Sequence, residues 1–372
     1  MRVRGRIPGK PGLWEIDLEA DTIWTLRCVD AGLGAERGDW LTPGLFDLQI
    51  NGIAGIGFTN PSVSIDELAS ADQLIRAKGI SRYCPTVITR DTDTTLAVLE
   101  RFKLAWDARA ISGAWAIHLE GPYISPEDGY RGVHQKRFTR DPDWEEFARF
   151  QHASGDRIRL VTIAPERAGS EDFIRRAVDS GVMVSMGHSN AEPADIARAV
   201  GAGLRLSTHL FNGCARLVDR HRNVIYSQLS NDALTALFIA DSHHVPLSLL
   251  RAAIRAKEAR RCILASDISQ LSGLPDGEYE MEGNRVEVKD GGIWVKGSYL
   301  LSGAARTLDR DVEILAREPE PGIECVLRMA SANPACAVGE GRWAELAAGR
   351  KGPLAVFSWD GKDLVLKQRI GF

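Results

Sequence analysis

The chain has 372 residues and a mass of 40.7 kDa, too long for one small module and suited either to two domains or to one large α/β barrel with an appendage. With 46 lysines and arginines against 50 aspartates and glutamates, a formal net charge of −4, it offers no bulk attraction for nucleic acid or an anionic membrane. No apolar run approaches the roughly 20 residues that span a bilayer, Arg2, Arg4 and Arg6 lead into no secretory signal, and six scattered cysteines without a C-x-x-C pair predict reduced thiols in a cytoplasm rather than a disulfide framework.

The first forty residues read as short antiparallel strands. Trp14-Glu-Ile-Asp-Leu and Thr22-Ile-Trp-Thr-Leu place apolar residues in brief runs separated by Gly and Asp. The tail is alike: Leu354-Ala-Val-Phe-Ser-Trp, the turn Asp360-Gly361, then Leu364-Val-Leu, and a D-G between apolar runs is a strong hairpin signal. Residues 1–42 and 336–372 are therefore expected to form one small β-sandwich around a body of residues 43–335.

Inside that body the rhythm becomes strand, helix, strand. Short apolar runs fall at 45–50, 80–88, 114–119, 158–164, 182–186, 204–208, 235–240 and 262–266. Ser64-x-x-Glu67 has the form of a capping box, with Gly79 to stop the helix it opens. Pro246 sits where a helical turn begins, with Leu249, Leu250, Ala253 and Ile254 on one face. Eight strands alternating with helices predict a (β/α)8 TIM-type barrel, which needs about 250 residues. The competing doubly wound sheet is disfavoured because no G-x-G-x-x-G follows the first strand.

In such a barrel chemistry sits where the strands end. The first run leads into Gln49-Ile-Asn51, the third into His118-Leu-Glu120, the fifth into His188-Ser-Asn190, the sixth into His209-Leu-Phe-Asn212, and the eighth into Asp267. Glu120, His188 and His209 form a candidate site for a single divalent ion, two imidazoles and a carboxylate with water completing the coordination. Such an ion acidifies a water molecule and polarises a carbonyl, which makes Asp267 the candidate general base. Singly, each residue has a blander reading: a strand-end histidine is more often a hydrogen-bonding group, and an aspartate after a strand is often a helix cap. Those readings weaken when all four share one face of one barrel. His118 is expected to support the ligands rather than join them, Cys214 to be a small buried thiol, and His152 and His221 to be solvated.

These segments resemble the N-acetylglucosamine-6-phosphate deacetylases of the amidohydrolase superfamily. The resemblance is carried by Pro43-Gly-Leu-Phe-Asp-Leu-Gln-Ile-Asn-Gly, His118-Leu-Glu-Gly-Pro, Gly187-His-Ser-Asn, Thr208-His-Leu-Phe-Asn, Ile239-Ala-Asp-Ser-His-His-Val and Leu274-Pro-Asp-Gly-Glu-Tyr. They occur in the family's order from about residue 40 to 310. Most of the superfamily has H-x-H after the first strand to bind a second metal, whereas this chain has Gln49 and Asn51, and amides are poor ligands for a transition ion. The chain thus resembles the single-metal branch, with Glu120, His188 and His209 holding one divalent ion, zinc or ferrous iron.

The resemblance further implies that His134 hydrogen-bonds the substrate near its acetamide carbonyl, that His244 binds the sugar, and that Asn212 and Gly213 cradle the phosphate. Arg220, at the family's spacing, would complete the phosphate site across a homodimer interface. Here the usual Arg-Glu-Pro-Gly reads Arg220-His-Arg-Asn, so Arg222 is the alternative. Gly213-Cys214 replaces the usual Ala-Met and Ser266-Asp-Ile-Ser the usual Thr-Asp-Ala. The implied reaction is hydrolysis of an N-acetyl amino-sugar 6-phosphate to acetate and the free amine. The altered stretch keeps open an amide hydrolase for an unphosphorylated N-acetylated sugar or a cyclic amide, and a sugar-phosphate-binding homologue without turnover is the remaining alternative.

Overall fold

The computed structural model describes residues 1–32 and 36–372. Eight parallel strands form its centre: β1 (Leu45–Ile50), β2 (Ile80–Ile88), β3 (Ile117–Glu120), β4 (Ile158–Ile163), β5 (Met183–Met186), β6 (Leu206–Ser207), β7 (Thr235–Phe238) and β8 (Cys262–Leu264). They are hydrogen-bonded in chain order. A parallel bridge between Ile50 and Ile268 closes the cylinder. There Asn51 N–H donates to the Ile268 carbonyl (2.7 Å) and Asp267 N–H to that of Gln49 (3.0 Å).

Both faces of each barrel strand are covered, which is why these strands read as unbroken apolar runs. Successive side chains divide between two cores. Phe46, Leu48, Leu160, Leu237 and Ile263 fill the interior, whereas Leu45, Val161, Phe238 and Leu264 pack under the helices. Leu119 belongs to the outer layer, so His118 and Glu120 on either side of it face inward. Trp343 packs against this inner core, its ring 5.4 Å from that of Phe46.

The termini meet in a separate six-stranded sheet. Its order is Leu364–Ile370, Leu354–Trp359, Gly38–Thr42, Arg2–Ile7, Lys10–Glu19 and Thr22–Asp30. Val3, Ile16, Leu41, Leu354 and Val356 give it a core of its own.

The helix at Ile65–Arg76 begins as its sequence specifies: Ser64 Oγ accepts the Glu67 N–H (3.2 Å) and the Glu67 carboxylate accepts the Ser64 N–H (2.8 Å). The helix at Leu247–Lys257 buries Leu250, Ala253 and Ile254. Leu249, expected on that face, is instead 43% exposed, because at about 100° per residue it falls at the edge of the stripe centred on Leu250, Ala253 and Ile254. One element was not foreseen. An antiparallel meander of Gly277–Met281, Asn284–Lys289 and Gly292–Val295 is inserted after β8, with left-handed residues at both turns, Glu282-Gly283 and Asp290-Gly291, as two-residue hairpin loops require. Among the described residues no helix is long and apolar enough to cross a membrane, and none of the six cysteines is paired.

The seam between β1 and β8 also carries a buried carboxyl group. Asp47 accepts hydrogen bonds from Ser266 Oγ (2.5 Å) and Ser266 N–H (3.1 Å), yet burial pushes its pKa from 3.8 up to about 7. A raised folded-state value favours the protonated form, so this stabilising contribution is complete below the unfolded value and is lost as pH rises through about 7. Asp47→Asn keeps the shape without the titration. Thermal melts between about pH 5 and 8 are expected to show the wild type losing stability relative to the variant as pH rises; parallel curves would place the pH dependence elsewhere.

Candidate metal centre and active site

The polar groups gather at the carboxyl-terminal rim of the barrel. Glu120 is the last residue of β3, His188 and His209 lie just beyond β5 and β6, and Asp267 follows β8. Each strand must turn sharply to present its side chain inward, and His188, His209 and Asp267 take left-handed φ values of 50°, 31° and 52°. Such conformations cost of order 1–3 kcal/mol each for residues with a Cβ and cluster at functional sites. Gly213 (φ 59°) is required beside them, since a Cβ there would lie 2.8 Å from His188 Nδ1.

Glu120 is the hub. Its Oε1 lies 3.2 Å from His188 Nε2 and 2.9 Å from His209 Nε2, with all three side chains buried. His188 Nδ1 donates to the Tyr130 carbonyl (2.9 Å); in that tautomer the Nε2 lone pair faces the carboxylate oxygen. Two electron-rich atoms converge in a buried site only with a proton or a metal ion between them. Burial alone would raise the Glu120 pKa, but the two imidazoles hold it well below the usual range. Burial would likewise lower His209, and Glu120 raises it above its ordinary value. His209 Nδ1 is buried without a protein partner. The donor set, an anionic oxygen and imidazole nitrogens oriented by a backbone carbonyl, fits a divalent metal ion.

His118 and His134, beside this hub, are kept neutral by burial. His118 donates through Nδ1 to the Leu48 carbonyl (3.0 Å), and its Nε2 meets Thr162 Oγ1 (2.7 Å). The carbonyl fixes the tautomer, so a hydroxyl chain runs from Ser185 through Thr208 and Thr162 to His118 (2.6 and 2.7 Å). Burial lowers its pKa to about 4, and with both nitrogens engaged it supports the site from beneath. His134 reaches over from the loop after β3, its Nδ1 2.8 Å from Thr89 Oγ1 and its ring 4.3 Å from that of His188. Burial, then His188, lowers its pKa to about 3. One ligand atom each of Glu120, His134 and His188 lies within 4.8 Å of the others, so His134 stands close enough to compete with His209 as the third ligand. His244 is held by Asp241, whose Oδ2 accepts from Nδ1 (2.8 Å).

Gln49 and Asn51, read in the sequence as positions where a second metal site is missing, have an occupation. Gln49 Nε2 (2.9 Å) and Asn51 Nδ2 (2.7 Å) both donate to Asp267 Oδ1. Burial and then the Glu120 charge push Asp267 up to about 6, and the amides supply neutral donors that keep its carboxylate in place.

Glu120, His134, His188, His209, His244 and Asp267 border one pocket of about 480 Å³, with Asn212 and Gly213 on its wall. Arg220 and Arg222, expected to act across an interface with a second copy, do not border the pocket of their own chain: both are exposed, and Asp219 Oδ1 accepts the N–H groups of His221 and Arg222 (2.8 and 2.6 Å). Cys214 lines the pocket half-buried, its Sγ 3.2 Å from the Phe211 carbonyl. His152 and His221 are exposed. Sequence reading missed the contribution of the inserted meander and its connection, which add Met281, Trp294 and Tyr299 to the wall, and of Arg216. The Asp290-Gly291 turn between Val286-Glu-Val288 and Ile293-Trp294 was the available signal.

Residues 40–366 match the amidohydrolase family. The chain is 33% identical to the N-acetylglucosamine-6-phosphate deacetylase of Bos taurus over 309 residues, 80% of this chain and 74% of that one. The Homo sapiens enzyme of the same name is 32% identical over 312 residues, 81% and 75% of the two chains. Among solved structures, a mutant N-acetyl-D-glucosamine-6-phosphate deacetylase from Mycobacterium smegmatis in complex with N-acetyl-D-glucosamine-6-phosphate superposes with a TM-score of 0.84 at 27% identity, covering 97% of this chain and 94% of that chain.

Ligand and support roles separate on metal affinity. Glu120→Gln removes the anionic oxygen and is expected to weaken divalent-metal binding by about 100-fold or more, while the double variant Gln49→Leu/Asn51→Leu keeps near-wild-type affinity. Metal titration of the dialysed proteins checks this; equal losses in both would make the amides ligands.

Proposed function

The chain belongs to the amidohydrolase family, among its N-acetylglucosamine-6-phosphate deacetylases, and from that premise we propose that this metal-dependent hydrolase cleaves N-acetyl-D-glucosamine 6-phosphate to acetate and D-glucosamine 6-phosphate. The observation that carries the reading is the convergence of Glu120, His188 and His209 with Asp267 on one pocket. A divalent ion of the zinc or ferrous type, bound by Glu120, His188 and His209, would acidify water and polarise the acetamide carbonyl.

The chain's own residues supply the rest. Asp267 Oδ1 is occupied by the two amides, so Oδ2 is the oxygen left to receive the proton of the attacking water. It then returns that proton to the departing nitrogen: one C–O bond forms, one C–N bond breaks, and acetate leaves beside the free amine. His134, kept neutral by burial, can accept from Thr89 at Nδ1; in that tautomer Nε2–H donates to the carbonyl oxygen as charge develops on it. His244, with Nδ1–H bound to Asp241, presents Nε2 as an acceptor for a sugar hydroxyl.

Asp267→Asn preserves the size of the side chain and its place beside Gln49 and Asn51. It is expected to lower kcat by about 10²–10⁴ with metal content unchanged. Acetate release and metal analysis on the same preparation check this, and near-normal turnover in the variant would exclude Asp267 as the proton carrier.

A further inference from the structure

His134 lies on a stretch of chain with little regular structure to hold it. Among the described residues, 121 to 143 contain no strand and one short helical turn, Lys136–Phe138. The backbone hydrogen bonds of His134 are local: its N–H donates to the Arg131 carbonyl (3.1 Å), and its own carbonyl accepts from Arg131 Nη1 (2.8 Å). Its ring is tied to the barrel through Thr89 Oγ1, 2.8 Å from Nδ1. A donor to developing charge must be aimed before that charge appears, so the stretch needs a constraint from outside itself.

The inserted meander supplies one. Glu282, at the tip of its first hairpin, touches both neighbours of the His134–Thr89 contact. Its carboxylate forms an ion pair with Arg90, the residue after Thr89, and the Arg90 and Glu282 side chains are 16% and 18% exposed. Its main-chain carbonyl accepts from Nε2 of Gln135, the residue after His134 (3.2 Å). His134, Thr89, Arg90, Glu282 and Gln135 thus close a ring in which every link is a peptide bond or a polar contact. The Arg90 carbonyl in turn accepts from Arg140 Nη1 (3.0 Å), which also donates to the Phe138 carbonyl (2.7 Å) and fastens the far end of the stretch.

The meander presents this residue firmly. Met281, beside it, is buried with Leu271, Val286, Val288 and Ile293 in a core of the meander's own. Glu282 has a φ of 58°, in a turn position that favours Asn, Asp or Gly, so a glutamate stands there against local preference. Its ion pair is largely withdrawn from water, where attraction between opposite charges exceeds that on an open surface.

We propose that Glu282 is a positioning residue for deacetylation: it clamps the residues that follow Thr89 and His134, and so aims His134 Nε2 at the acetamide oxygen. This rests on the role given to His134 above. The meander thereby acts on the reaction through His134 and not through the metal ligands.

The test is a double-mutant cycle on acetate release by the zinc-loaded protein. Glu282→Gln keeps the size of the side chain and the carbonyl that binds Gln135, and removes the charge. It is expected to lower kcat about 10-fold, with KM within about threefold and metal content unchanged. Gln135→Leu gives a smaller loss of the same kind. In the His134→Ala background Glu282→Gln is expected to change kcat by less than about twofold, because the group it positions is gone. An unchanged kcat in the single variant, or the same loss with His134 absent, overturns the proposal. Imidazole 15N resonances read the clamp without turnover. The His134 signals, assigned by their loss in His134→Ala, are expected to report one tautomer in the wild type and to shift toward a mixture in Glu282→Gln; unchanged signals reject the clamp. If the wild type releases no acetate, the functional reading falls and these resonances alone decide on the clamp, as they do if His134→Ala is too slow to measure.

Discussion

Everything at the rim of this barrel depends on one buried carboxylate. Glu120 presents a single oxygen to two imidazole nitrogens, and an ion of its size taken out of water costs several kcal/mol unless positive charge meets it. The neighbours are arranged so that this charge arrives at one point only. His118 and His134 are held neutral by burial, and each has Nδ1 engaged by a backbone carbonyl or a hydroxyl. Asp267, a second carboxylate close enough to feel Glu120, is steadied by amide donors rather than by another cation. A glutamine or asparagine that donates to a carboxylate has its nitrogen occupied and only a weak carbonyl ligand left, so Gln49 and Asn51 favour a single ion by what they do for Asp267 as much as by what they fail to bind.

The barrel is what allows such a site to persist. His188, His209 and Asp267 sit in left-handed conformations that a free chain would abandon. Asp267 is pinned from both sides: its N–H donates to the Gln49 carbonyl (3.0 Å), and its own carbonyl accepts the Ala304 N–H (2.8 Å). The first of these is also one of the bonds that close the cylinder. Closing the barrel and aiming the base are thus one structural act, with Asp47 and Ser266 reinforcing the same seam a little deeper.

This explains which features could be read from the sequence. The eight barrel strands were legible because burial on both faces leaves unbroken apolar runs, and the helix at Ile65–Arg76 because Ser64 and Glu67 are three residues apart. The meander was not, since Glu278, Glu280, Arg285, Glu287 and Lys289 project into solvent and give it the composition of a polar loop. Site residue types were visible at strand ends, but their partners were not. Gln49 and Asp267 are separated by 218 positions, and Arg216 meets Tyr299 only through the fold. Local pattern names the groups; the closed barrel decides which of them touch.

The charge layout also orders the substrate. The carboxylates Glu120 and Asp267 stand in one pocket, with the neutral His134 on its wall. An acetamide has no net charge and can approach the carboxylates once an ion is present, whereas a phosphoryl dianion turned toward them meets like charge in a low-dielectric cleft, where repulsion is strongest. Bound the other way, the dianion points away from both carboxylates while the acetamide faces Asp267. Discrimination between the two orientations needs no basic protein, consistent with a chain whose formal charge is −4. It needs negative charge fixed at one place in the cavity, which is what Gln49 and Asn51 maintain by holding Asp267.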